Sequence, residues 1–172
     1  MLEILKDTHH GALDGIGKLE GRVSFRIAVL SRLLDRQMSR ILADYGLTLP
    51  AYRILVTIDA FGEISAADLV RVVVVDKGVI SRSSAELEHA GLLETRPDPR
   101  HARRKLMRLT ETGKAKLAAV EPDVRAREQG LDGSIDPADR DAFDRSLAGL
   151  SRHVAEALEE APGAALRRDL TP

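Results

Sequence analysis

The stretch that decides the fold reads Asp76-Lys-Gly-Val-Ile-Ser-Arg82, then Leu87-Glu-His-Ala-Gly-Leu-Leu93, Arg96-Pro-Asp-Pro-Arg-His-Ala-Arg-Arg-Lys105 and Leu109-Thr-Glu-Thr-Gly113. Three units follow one another here. The first is a short helix, with Asp76 as the N-cap whose carboxylate accepts from backbone N–H groups two and three residues on. Ile80, Ser84 and Leu87 recur at i, i+4, i+7 as a buried stripe, and Gly91 stops the helix. The opposite face carries Lys77, Gly78, Ser81 and Arg82, small or cationic groups crowded into the first two turns. The second unit is a hairpin, residues 92–96 and 105–109 flanking a tip with two prolines. Across residues 94–108, Arg96, Arg100, Arg103, Arg104, Lys105 and Arg108 stand against Glu94 and Asp98, a net charge of +4. The third unit is a new helix that opens at Thr110.

A helix with a small cationic face, joined to a basic two-stranded wing, is a winged helix-turn-helix. Its helix is sized for the DNA major groove, and its wing tip reaches phosphates or the minor groove. A charged face taken alone is most often solvated surface; helix, turn and wing in register argue against that here. The stretch resembles the MarR family of bacterial transcriptional regulators. The residues that carry the resemblance are the cap, Ser81-Arg82 in the recognition helix, Gly91-Leu92, the basic wing and the Leu-Thr-x-x-Gly exit, and the match extends over residues 23–154. Family wings commonly carry Asp-x-Arg at the tip, the Asp orienting a neighbouring Arg; here His101-Ala102-Arg103 stands in that place.

Together, residues and resemblance imply a homodimer that binds double-stranded DNA at a pseudo-palindromic operator. Lys77, Ser81 and Arg82 would enter the major groove, Arg82 reading guanine, while Gly78 permits close backbone approach. Arg100, Arg103 and Arg104 would act from the wing, with Arg103 nearest the minor groove. The resemblance further implies a small anionic or phenolic effector, held by residues such as Arg26, Leu30, Tyr52 and Arg53. The plainer alternative makes Tyr52 half-buried core and both arginines solvated.

Outward from this stretch, Val23, Ile27, Leu30, Leu34, Met38, Ile41 and Tyr45 recur at spacings of 4, 3, 4, 4, 3, 4. That predicts one helix over residues 22–45, longer than a small core needs, and the resemblance makes it a dimerisation helix. Thr48 caps the next helix, with Pro50 in its first turn, Ile54, Leu55, Ile58 and Phe61 inside, and Gly62 as its stop. Ser65-Ala-Ala-Asp68 is a capping-box variant opening a supporting helix over residues 65–73. The β-branched run 72–75 lies between two caps and is therefore not read as a strand. After the wing, Ala115, Leu117, Val120 and Val124 line a long helix that Pro122 is expected to kink or break. Residues 129–134 read as a Gly/Asp-rich turn. Asp136-Pro137 restarts a helix with Phe143, Leu147, Leu150, Val154 and Leu158 along one side, ended by Pro162-Gly163.

The fold class is thus mainly α with a small β-hairpin wing: a winged helix-turn-helix plus a helical dimerisation module. Residues 1–46 form an N-terminal segment and dimerisation helix, 47–109 the DNA-binding domain, and 110–172 the C-terminal dimerisation helices and tail. Aromatics at 3% and no Trp favour helices packed on helices. With no Cys, disulfides, thiol sensing and Cys-ligated metals are excluded. No apolar run approaches a membrane span and no signal peptide is visible, so the chain is expected in the cytoplasm. His9-His10 lacks a carboxylate cluster and reads as surface, with neither metal nor cofactor implied. The net charge of −1 argues against a general polyanion binder, yet residues 65–108 sum to +3 and residues 121–172 to −5. An enzyme would need a convergent nucleophile and base or a phosphate loop, and the five His are scattered. The alternative to DNA is a winged helix serving protein–protein contact, its wing on an acidic partner.

Overall fold

The computed structural model describes residues 19, 21–73 and 77–160. In chain order these form α1 (Val23–Ala43), α2 (Leu49–Phe61), β1 (Ile64–Ser65), α3 (Ala66–Val72), α4 (Lys77–His89), β2 (Leu93–Asp98), β3 (His101–Leu109), α5 (Glu111–Gly133) and α6 (Arg140–Glu160). The chain divides into two units, one ending at Val124 and one starting at Arg125. The core of the first unit is built around the fully buried Leu42, Ile54, Leu55, Ile58, Leu69 and Val120. His9-His10, Val74, the Asp76 cap and Pro162-Gly163 lie outside the described residues.

The expected stripe on α1 is only partly used inward. Met38 and Leu42 are buried, Leu42 standing outside the predicted spacing, while Val23, Ile27 and Leu30 stay 45–52% exposed. The core therefore covers the last turns of α1 alone. Two helices end alike: α1 at Gly46 (φ 63) and α4 at Gly91 (φ 68). In each the glycine N–H bonds three residues back and the following N–H five back, Leu47 to Leu42 at 3.0 Å and Leu92 to Leu87 at 2.9 Å. This is the Schellman arrangement, and its left-handed residue is best tolerated as glycine.

Thr48 caps α2 as expected, its Oγ1 accepting from the Ala51 N–H at 3.3 Å. Ile54, Leu55 and Ile58 are buried, but Phe61, expected beside them, is 58% exposed. It is the last residue of α2, where the chain turns away at Gly62, and the packing stops a turn short of it. Ser65 caps α3 by accepting from the Asp68 N–H at 3.2 Å, and it donates to the Asp68 carboxylate at 2.7 Å. Val72 ends α3 and Val73 follows as a buried extended residue, while Val75, like Val74, lies outside the described residues.

The wing has a partner the sequence did not announce. The two-residue β1 pairs antiparallel with β3, Ile64 opposite Met107 and Ser65 opposite Leu106, giving a sheet of order β1-β3-β2. Two residues are too few to show an alternating pattern. In α4 the small buried position is Ser83, between Ile80 and Leu87; Ser84, expected there, is half-buried.

The last helices depart most from expectation. α5 runs unbroken through Pro122 and ends at Gly133, so of the turn expected over 129–134 all but Ser134 is helical. A proline removes one N–H and crowds one carbonyl, and in a 23-residue helix the remaining bonds carry the chain past it. Val120 is buried and Leu117 and Val124 half-buried; Ala115, two residues before Leu117, falls on the opposite face and is exposed. Asp136 caps a turn rather than a helix, its Oδ1 accepting from the Ala138 N–H at 2.8 Å. α6 begins at Arg140, whose guanidinium reaches back to Asp132 at 2.9 Å. Its stripe of Phe143, Leu147, Leu150, Val154 and Leu158 is 39–68% exposed.

Candidate nucleic-acid interface

Ile80, Ser83 and Leu87 turn α4 inward, which leaves Lys77, Gly78, Ser81 and Arg82 exposed together on its outer face. Lys77 and Arg82 make no ion pair among the described residues. A Cβ added to Gly78 would lie 3.7 Å from Nη1 of Arg82, so the guanidinium folds back across the bare first turn. The N-terminal end of the helix also carries the positive pole of its dipole, which adds to the cationic face.

The wing closes at its base with Leu93 opposite Leu109, both buried, and Thr95 opposite Met107. Pro97 pairs with Lys105 on β2, an edge strand, where a missing N–H is tolerated. The next pair is Asp98 with His101, so residues 102–104 of β3 bulge opposite no residue of β2. Asp98 is buried at the tip, its Oδ1 accepting from the Arg100 N–H at 2.8 Å.

The six wing cations do not share one role. Arg96 grips Glu63 with two bonds, Nε to Oε1 at 2.8 Å and Nη2 to Oε2 at 2.5 Å. This pairing holds the Glu63 carboxyl below its usual pKa. Arg108 bonds Glu94 across the hairpin at 2.7 Å. Arg104 bonds Asp68 through Nη2 and places Nε 3.5 Å from Oδ2 of Asp98. Arg100 and Lys105 are exposed and unpaired among the described residues, while the side chain of Arg103 lies outside the description. The outward charge is therefore smaller than the count of +4 across residues 94–108. Glu63 and Asp68, the partners responsible, lie more than thirty residues away in sequence. Asp68 had a local signal as the odd carboxylate of the capping box; Glu63 had none.

The wing returns to the fold through a stitched joint. Thr110 donates through Oγ1 to the Gly91 carbonyl at 2.6 Å and accepts from the Gly113 N–H at 3.0 Å, capping α5. A Cβ on Gly113 would sit 2.0 Å from the Leu92 carbonyl oxygen. The end of α4 and the start of α5 are thus in backbone contact. Farther along, the Tyr45 hydroxyl donates to Asp123 at 2.7 Å, which raises the tyrosine pKa.

The four residues expected around an effector sit on α1 and α2. Arg53 bonds Asp35 of α1 at 2.7 Å, Tyr52 is half-buried against the core, and Arg26 and Leu30 are exposed on α1. A cleft of about 550 Å³ lies elsewhere, lined by Ile58, Glu63, Glu94, Arg108, Thr110 and Lys114 among others. Its charged lining is largely occupied in pairs, Arg108 with Glu94, Lys114 with Glu111 and Glu63 with Arg96. Among the described residues no helix is long and apolar enough to cross a membrane.

Residues 45–104, from the end of α1 to the bulge of the wing, match the MarR family. No curated protein sequence matches the chain. Solved structures share its fold. A MarR family transcriptional regulator from Silicibacter pomeroyi DSS aligns with a TM-score of 0.70 at 23% identity, covering 81% of this chain and 94% of that one. AbsC, a MarR family transcriptional regulator from Streptomyces coelicolor, aligns with a TM-score of 0.69 at 25% identity over 77% and 93%. BpsR of Bordetella bronchiseptica, whose DNA binding is regulated by 6-hydroxynicotinic acid, aligns with a TM-score of 0.68 at 22% identity over 83% and 96%.

Proposed function

Taking residues 45–104 as a winged helix of the MarR family of transcriptional regulators, we propose that this chain is a homodimeric, sequence-specific DNA-binding transcription regulator. It acts as a repressor in the cytoplasm and not as an enzyme. The observation that carries this reading is the sorting of cations. Arg96, Arg104 and Arg108 are tied to carboxylates, while Lys77 and Arg82 on α4, with Arg100 and Lys105 on the wing, are exposed and unpaired among the described residues. α4 enters the major groove with Lys77, Gly78, Ser81 and Arg82, and Arg82 is the residue suited to bidentate recognition of guanine. Arg100 and Arg103 reach from the wing toward the backbone and minor groove.

A second copy covers the apolar stripes that the single chain leaves open, Val23, Ile27 and Leu30 on α1 and Phe143 to Leu158 on α6. A two-fold dimer calls for a pseudo-palindromic operator with half-sites about 10 base pairs apart. A small anionic or phenolic effector releases the DNA, drawing on Arg26, Leu30, Tyr52 and Arg53. The Arg53–Asp35 pair between α2 and α1 supports this choice, since an anion competing for Arg53 would loosen α2 from α1.

The test is binding to DNA from the chain's own upstream region across a salt series, beside Arg82→Ala and Arg103→Ala. Arg82→Ala should cost roughly 1–3 kcal/mol and relax the base preference, and Arg103→Ala should lower the salt slope by about one. No preference over random DNA, in a selection from random sequences as well, would overturn the reading. Capture of an acidic protein partner by the wing would then replace it.

A further inference from the structure

Arg104 belongs to a continuous polar chain that starts at the first turn of α3 and ends at the wing tip. Ser65 donates to Asp68 at 2.7 Å, and Asp68 receives Arg104. Arg104 turns its Nε toward the buried Asp98, 3.5 Å away, and the other oxygen of Asp98 accepts the Arg100 N–H at 2.8 Å. Asp68, Arg104 and Asp98 each have a partner on both sides. Both carboxylates that flank Arg104 belong to structured positions, one a helix N-terminal residue and one the buried corner of the hairpin. A phosphate approaching Arg104 would have to compete with two carboxylates already in place. Arg100, one link farther, has its backbone fixed by the chain and its guanidinium unpaired among the described residues.

We infer that Arg104 is a positioning residue, a brace between α3 and the wing through Asp68 and Asp98 that sets where Arg100 meets the DNA backbone. This rests on the DNA-binding reading and refines it, for it takes Arg104 out of the set of direct DNA contacts. The brace needs a planar fork that bonds two acceptors at once, which Lys lacks.

The sign of one substitution separates brace from contact. Asp68→Asn removes a negative charge beside a DNA-facing arginine. Were Arg104 a phosphate contact, this would free it and tighten binding to a polyanion. The brace requires the opposite: Asp68→Asn weakens binding roughly five-fold or more, as does Arg104→Gln. The double variant should be no weaker than the poorer single one, because both break the same link. Arg104→Lys should behave like Arg104→Gln rather than like the parent. Binding by Asp68→Asn as tight as the parent or tighter, losses that multiply in the double variant, or full binding by Arg104→Lys would each overturn the assignment.

A second measurement is independent of DNA. Hydrogen exchange in the free protein should quicken at wing amides, Arg100 foremost, in Asp68→Asn and Arg104→Gln alike. Unchanged exchange there refutes the brace. Quickened exchange in variants of a protein that binds no DNA supports the brace and refutes the regulator reading instead.

Discussion

Gly113 has no room for a side chain, because its Cβ would overlap the Leu92 carbonyl oxygen at 2.0 Å and that oxygen belongs to backbone that cannot swing aside. Gly113→Ala should therefore destabilise the fold by about 1–3 kcal/mol, the usual cost of overpacking. Gly130, in the same helix with nothing within 4 Å, should respond in the opposite direction. Gly130→Ala is expected to gain up to about 1 kcal/mol from helix propensity, so urea unfolding of the two variants should move the midpoint in opposite directions. A titration gives a second residue-scale prediction. The Arg96 guanidinium holds Glu63 below the ordinary value of 4.5, so the pair's contribution is present above that pH and is lost as pH falls through the lower folded value. The melting-temperature difference between the parent and Glu63→Gln should accordingly be seen at pH 7 and vanish on acidification below the folded value. The Leu-Thr-x-x-Gly exit was legible in the sequence as a pattern. Its cause was not, because Leu92 meets Gly113 only after the whole hairpin has intervened.

At the scale of elements, the capped ones were read most closely. Thr48, Ser65 and Gly91 each mark a boundary through a hydrogen bond made within a few residues, which is why α2, α3 and α4 fell near their expected limits. The misreadings came where local signals were weak against helix continuity. Pro122, Gly130 and Gly133 together read as a break and a turn, yet α5 passes through them. Pro122→Ala restores an N–H and relieves the clash with the preceding turn, so it should raise unfolding free energy by as much as about 3 kcal/mol; a neutral result in urea would mean that the helix has already adapted around it. β1 shows the complementary failure, since a two-residue strand exists only because β3 is there to pair with it.

For the whole molecule, the sequence showed which helices carry apolar stripes but not which stripes the chain would bury for itself. The core takes Met38 and Leu42 from α1 and leaves Val23, Ile27 and Leu30 exposed, and on α6 all five stripe residues remain exposed. If a second copy covers them, Leu147→Glu, which puts a charge in the middle of the α6 stripe, should shift the protein from dimer to monomer in sedimentation velocity without loss of helical circular dichroism. The charge of the wing divides in a related way. Counting residues gave the wing its basic character, while tertiary ion pairs decide how much of it faces outward. The hairpin also has a genealogical consequence. It leaves and rejoins the body at one place, Leu93 beside Leu109, with Thr110 sewn to Gly91 directly behind. Apart from Asp98 and Arg104, which are tied to α3 through Asp68, the residues beyond Arg96 and Leu106 are an excursion whose length does not set the position of α4. With Asp98 and Arg104 kept, the tip can be lengthened, shortened or exchanged as a cassette, so that on the proposed reading lineages descended from such a protein could alter the reach of the wing while leaving the face of α4 as it is.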